Sequence, residues 1–162
     1  MTTTFASKPP SASHTVLSQF MMPEHANTHG NVHGGWIMKL VDEVAAIAAV
    51  RHSRCSSVTV AIDSMTFNAP VLVGELVTLE ATLTFVGRTS MEVMVRVYSE
   101  NLMTGKSVLT NTAYVVYVAL DANRQPTTVP GLQLETAEER LRFEQGRERQ
   151  RLRLERAQRE LR

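Results

Sequence analysis

The chain has 162 residues, 43% of them apolar, and a formal net charge of +1. That length suits one domain with a real core, and so small a net charge argues against a general polyanion binder. Its one cysteine, Cys55, excludes an intrachain disulfide, and no apolar run is long enough to cross a bilayer.

Residues 1–13 (MTTTFASKPPSAS) are rich in Ser, Thr and Pro. They lack the apolar segment of a secretory signal and the arginines of an organelle-targeting one. They read as a disordered leader, and the protein as cytoplasmic. His14 to Met22 has strand character and stops at Pro23. Next comes PEHANTHGNVHGGWIMKLVDEVAAIAAV, residues 23–50, a polar glycine-punctuated loop running into an apolar helix. Gly30, Gly34 and Gly35 lie just before that helix, where a backbone without Cβ atoms can approach a ligand. From Trp36 the spacing is helical: Ile37, Leu40, Val41, Val44, Ile47 and Ala48 share one face, with Met38, Asp42, Ala45, Ala46 and Ala49 opposite. A helix apolar on nearly all sides is buried on nearly all sides. Glu43 pairs with Lys39, four residues earlier. Asp42 has Met38 and Ala46 at the same spacing, so it is either a solvent-facing residue or a carboxylate with a use.

Basic residues at 51–54 suit the C-terminal end of the helix dipole. Val58–Met65 is a second strand, with Val58, Val60 and Ile62 on one face and Thr59, Ala61 and Asp63 on the other. Leu76–Val86 alternates Val77, Leu79, Ala81, Leu83 and Phe85 with Thr78, Glu80, Thr82 and Thr84. A tight connection at Gly87-Arg88 leads to Ser90–Glu100, another alternating strand. Lys106–Leu120 ends in AYVVYVAL, apolar on both faces, which marks an inner strand or one covered on both sides. Asp121–Pro130 is rich in turns and closes a domain spanning 14–130. From residue 131 the composition becomes charged. Thr136 and Glu139 form a capping-box pattern, so 131–162 reads as a charged helical tail, solvated or touching a partner, with Gly146 weakening its middle. Its mixed charge signs argue against a nucleic-acid arm. One strand, one buried helix and four further strands make an α+β protein: an antiparallel sheet wrapped around the helix, with its edge completed by a second copy.

Several chemistries fail on their motifs. His25, His29 and His33 recur every four residues, but the glycines break any helix there and no cysteine or carboxylate completes a metal spacing. The expectation is no metal, and His33 is expected to pack or hydrogen-bond locally. No G-x-S-x-G elbow, P-loop or dinucleotide fingerprint is present. The loop and helix do offer a helix N-terminus beside Gly34 and Gly35 for an oxyanion, Asp42 as base and Asn27 as a positioning amide. Those are the needs of ester or thioester hydrolysis.

At these residues the sequence resembles the hotdog-fold acyl-CoA thioesterases of the cytosolic acyl-CoA hydrolase group. The likeness runs through the N-x-x-G-x-x-x-G-G-W-I-M-x-x-x-D-E segment, VTVAIDSMTFNAPVLVGELV, VGRTSMEVMVRV and AYVVYVALD, covering residues 15–130. The resemblance implies an antiparallel sheet around a long central helix, double-hotdog homodimers often arranged as a trimer of dimers, and hydrolysis of acyl-CoA to free acid and CoA without metal or cofactor. It places the family's active-site aspartate on Asp42 and its asparagine on Asn27, contributed by opposite subunits. It also implies substrate binding by His33, Gly34 and Gly35 and a CoA-phosphate contact at Arg88, Thr89 and Ser90. An acyl-CoA-binding sensor without catalysis is the alternative; a hydratase or dehydratase lacks its expected Asp/His pairing. No nucleic-acid or membrane partner is expected.

Overall fold

The computed structural model describes residues 6–160. Along the chain run β1 (Thr15–Phe20), α1 (Gly34–Ser53), β2 (Ser56–Phe67), β3 (Leu76–Val86), β4 (Ser90–Asn101), β5 (Lys106–Leu120) and α2 (Ala137–Glu160). In space the strands order as β1-β3-β4-β5-β2, each neighbouring pair antiparallel. This is the hotdog fold. Period-two alternation brings Val77, Leu79, Ala81, Val93, Val95, Val97, Ala113, Val115 and Tyr117 into one layer beneath α1. Ile37, Leu40, Val41, Val44 and Ala48 of α1 complete that core. The sheet curves round the helix, so the buried arc is wider than one stripe. Ala45 and Ala49 are therefore buried too, while Ile47, expected in the core, is 42% exposed.

Three strand irregularities correct simple alternation. In β3 the register with β4 shifts between Leu83 and Phe85, so Phe85 pairs with Glu92 and turns to the convex face. In β2 the register with β5 shifts between Thr59 and Ala61, and again between Ile62 and Ser64. Thr59 stands opposite Tyr117 in the register before the first shift, and after it Ile62 stands opposite Val115, both on the helix side. The expected grouping of Val58, Val60 and Ile62 on one face is thus broken by bulges that no period in the sequence announces.

The leader is expected to be disordered through residue 13, yet its described part is tied down. Lys8 N donates to Gly131 O at 3.0 Å, Gln133 N donates to Lys8 O at 2.9 Å, and Lys8 Nζ donates to the C-terminal turn of α1 at His52 O. A single turn at Pro10–Ala12 then leads into β1, with Pro10 and Ser13 buried. Residues 1–5 of the expected leader lie outside the described residues. His52 is itself fully buried and donates from Nε2 to Pro130 O at 2.8 Å.

The charged C-terminal helix forms with the capping box anticipated: Glu139 N donates to Thr136 Oγ1 at 3.1 Å, and Thr136 N to Glu139 Oε2 at 2.9 Å. It does not stand free in solvent. It lies on the convex face, with Phe143 packed on Phe85 at 4.9 Å between ring centroids. Gly146, which reads as a weak point, is the residue of closest approach: a Cβ there would sit 2.6 Å from Phe85 Cβ. Arg149 forms a two-point ion pair with Glu92 at 2.8 and 2.9 Å and stacks over Tyr114, and Arg153 reaches Asp63 of β2.

Candidate active site

Asp42 lies two turns into α1 and is half-buried. Its partners are hydroxyls from two strands, not a basic group. Thr59 Oγ1 on β2 donates to Asp42 Oδ1 at 2.8 Å. Tyr117 Oη on β5 lies 2.8 Å from Oδ1 and 2.8 Å from the Asp42 main-chain carbonyl. Burial raises the Tyr117 pKa above its ordinary value, and the hydrogen bond to Asp42 raises it further, so the phenol stays a donor. Lys39 and Glu43 pair at 2.6 Å on the exposed side, as their spacing predicts.

The helix start is built by its histidines. His33 is the N-cap, and its Nδ1 accepts from Gly35 N at 2.9 Å. A Cβ on Gly35 would come within 3.1 Å of that nitrogen, so a larger residue there would press on the capping ring. The Gly35 N–H, expected to be open at the helix N-terminus, is thus engaged by the cap. His25 is buried, stacks on Trp36 at 4.3 Å and accepts from Met22 N at 3.0 Å, while His29 is exposed. The three imidazoles thus sit in separate surroundings, and among the described residues no group of three His, Cys, Asp or Glu could hold a metal ion.

A cavity of about 270 Å³ opens beside this helix end, lined by Asn27, Val32, Gly34, Ile37, Phe67 and Val71 among others. Asn27 Oδ1 accepts from His29 N at 2.9 Å and from Asn31 N at 3.3 Å, which turns the amide nitrogen into the group it can offer. Asp42 does not line this cavity. Within one chain, then, Asn27 and Gly34 are brought together, and Asp42 stands apart with Thr59 and Tyr117.

The Gly87–Ser90 hairpin forms a third place. Arg88 is exposed, and among the described residues its side chain has no hydrogen-bond partner. Ser90 Oγ accepts from Gln150 Nε2 of α2 at 3.1 Å, so its hydroxyl braces the hairpin instead of standing open. Thr89 O accepts from Ala119 N, and Arg88 O from Val129 N, both at 3.0 Å.

The Thioesterase superfamily profile matches residues 29–106. YkhA of Bacillus subtilis (strain 168), named as an uncharacterized acyl-CoA thioester hydrolase, is 41% identical over 127 residues, 78% of this chain and 74% of the relative. The chain belongs to the thioesterase superfamily. A hexameric acyl-CoA thioesterase solved without ligand superposes with a TM-score of 0.90 at 37% identity, covering 94% of this chain and 98% of that one. The acyl-CoA hydrolase of Staphylococcus aureus, solved with butyryl-CoA, CoA and CoA disulfide, gives 0.86 at 29% identity, covering 94% and 93%. For this thioesterase-superfamily chain, the sequence singles out Asp42, Asn27 and the glycines as candidates but not Thr59 and Tyr117, the hydroxyls that the structure places on Asp42. Their signal is weak: a threonine on a polar-looking face and a tyrosine inside an apolar run, joined only by the pairing of β2 with β5.

Proposed function

We propose that the protein hydrolyses the thioester of acyl-CoA to a free carboxylic acid and CoA. The observation that carries this reading is the Asp42 carboxylate, half-buried on the central helix of a thioesterase-superfamily hotdog and held by two hydroxyls. The thioester oxygen takes the Gly34 N–H at the helix N-terminus and the Asn27 amide, both cavity-lining, which stabilise charge as the carbonyl turns tetrahedral. Asp42 activates water or attacks the carbonyl itself. Along either course the C–S bond breaks, the sulfur leaves as thiolate and takes up a proton, and water supplies the new acid oxygen. The reaction needs no metal or cofactor.

Each site is shared, Asn27 coming from one subunit and Asp42 from its partner. The separation of the two residues within one chain supports this, as does an unpaired sheet edge at β2. Val60 and Ile62 on that strand, and Met38 and Ile47 on α1, are exposed apolar side chains of the kind a second copy covers. Dimers of this kind assemble further as a trimer of dimers, in line with the hexameric neighbour. The CoA phosphates lie against Arg88 and the Thr89 backbone, with Ser90 in support. The protein works in the cytoplasm on the acyl-CoA pool of fatty acid metabolism. No described helix is long and apolar enough to cross a membrane, and the net charge of +1 speaks against a general polyanion binder.

The test is release of free CoA thiol from a panel of acyl-CoAs of increasing chain length. Turnover above the uncatalysed rate is the expected result. Tight binding of acyl-CoA with no thiol released would overturn hydrolysis in favour of a sensor.

A further inference from the structure

Tyr117 has no exposed surface and sits in the apolar layer between the sheet and α1. A buried hydroxyl in such a layer costs free energy unless it is paired, and phenylalanine would fill the same space without that demand. What the hydroxyl gains is Asp42, with Thr59 beside it: Oη is 2.8 Å from both Asp42 Oδ1 and the Asp42 carbonyl. Thr59 Oγ1 donates to the same carboxylate oxygen at 2.8 Å. One donor leaves the carboxylate free to swing about Cβ–Cγ. Two donors from different strands, one of them rigid and buried in the core, fix its plane. Both hold Oδ1, and among the described residues no hydrogen bond engages Oδ2.

We propose that Tyr117 is a positioning residue for hydrolysis: with Thr59 it pins Asp42 Oδ1, so that Oδ2 is the oxygen presented to water or to the thioester carbonyl. This rests on the role of Asp42 proposed above. The geometry also assigns unequal parts to the two hydroxyls. Thr59 stands on the exposed edge strand beside a bulge, where the backbone can shift, whereas Tyr117 is locked in the core by packing on every side. The phenol therefore sets the carboxylate orientation, and the threonine follows it.

The experiment compares Tyr117→Phe, Asp42→Asn and the double variant in the full-length assembled protein, using an acyl-CoA that the wild type turns over. Tyr117→Phe lowers kcat by about five- to thirtyfold, the loss of one hydrogen bond to a charged group, with KM within about twofold and the light-scattering mass unchanged. In the Asp42→Asn background the same change alters the residual rate by less than about twofold, because the group it positions is gone. Full, multiplicative loss in the double variant would show that Tyr117 acts independently and would overturn the proposal. So would wild-type kcat in Tyr117→Phe, or a joint fall in kcat and rise in KM with weakened assembly, which marks a packing role. Wild-type activity in Asp42→Asn overturns the role of Asp42 on which the proposal rests; an inactive Asp42→Asn beside a fully active Tyr117→Phe sinks only the positioning role. Should Tyr117→Phe fail to assemble, 3-fluorotyrosine at the same position decides, since it keeps the shape but donates more strongly. A changed kcat with KM and melting temperature held supports the proposal, and an unchanged kcat overturns it.

Discussion

The sheet is crossed by one helix on each face, and the two helices are held by different forces. On the concave face α1 is gripped by an almost wholly apolar layer, and the polar groups that enter it, Thr59 and Tyr117, converge on Asp42. On the convex face α2 touches its sheet through one aromatic pair, one glycine and two arginines paired to Glu92 and Asp63. The concave contact is non-directional and tolerates the curvature of the sheet, which leaves its few directional bonds free to orient a carboxylate. The convex contact adds directional ion pairs to a small apolar patch, and these fix where α2 lies. In doing so it braces the Gly87–Ser90 hairpin through Gln150. One face aims the reacting group; the other shapes the rim that meets the rest of the substrate.

The sharpest way to break this division is Asp42→Asn. It keeps the volume and the apolar grip, so the fold and the oligomer persist while turnover drops by about two or more orders of magnitude. Thiol-release kinetics beside light scattering checks both halves, and near-normal turnover would remove Asp42 from the chemistry. Next comes Arg149→Ala on the opposite face. Glu92 is only 3% exposed at its side chain, so removing its partner strands a buried carboxylate, at a cost of about 2–3 kcal/mol after allowing for partial exposure of the arginine. A denaturant melt reads that loss, and replacing Glu92 by Gln in the same protein should recover part of it.

A smaller effect tests the rim. Arg88→Ala should raise KM for acyl-CoA roughly tenfold with kcat largely intact, because a phosphate contact is alike in ground and transition states. Short thioesters without the nucleotide, such as N-acetylcysteamine analogues, should lose little. An equal loss on both substrates would mean that Arg88 only shapes the hairpin. The smallest expected change is Gly146→Ala. Alanine gains up to about 1 kcal/mol in helix propensity, but its Cβ would meet Phe85 at 2.6 Å, and such overpacking costs about 1–3 kcal/mol. The clash wins by about 1 kcal/mol, and a thermal melt should show a lower midpoint, not a higher one.

Much of this was legible in the residues. The central helix, the four later strands and the capping box at Thr136 and Glu139 follow from local periodicity and from pairs three or four residues apart. Asp42 stood out because a carboxylate without a helical partner is conspicuous in an apolar stretch, and the Lys39–Glu43 pair formed as its spacing requires. The sequence also left Gly35 ambiguous: it reads as an open helix N-terminus, whereas the His33 cap takes its N–H.

Periodicity by itself thus determined the element types, their order and the helix that carries the carboxylate, because those depend on near neighbours along the chain. Tertiary structure decided what surrounds that carboxylate. Thr59 and Tyr117 are 58 residues apart in sequence and meet only because β2 pairs with β5 in the sheet. The same holds for Phe85, turned outward by the bulge in β3, and for Gly146, whose purpose exists only where α2 meets the sheet. A bulge adds one residue to one strand, and whether it forms depends on the pairing partner, so no local pattern carries it.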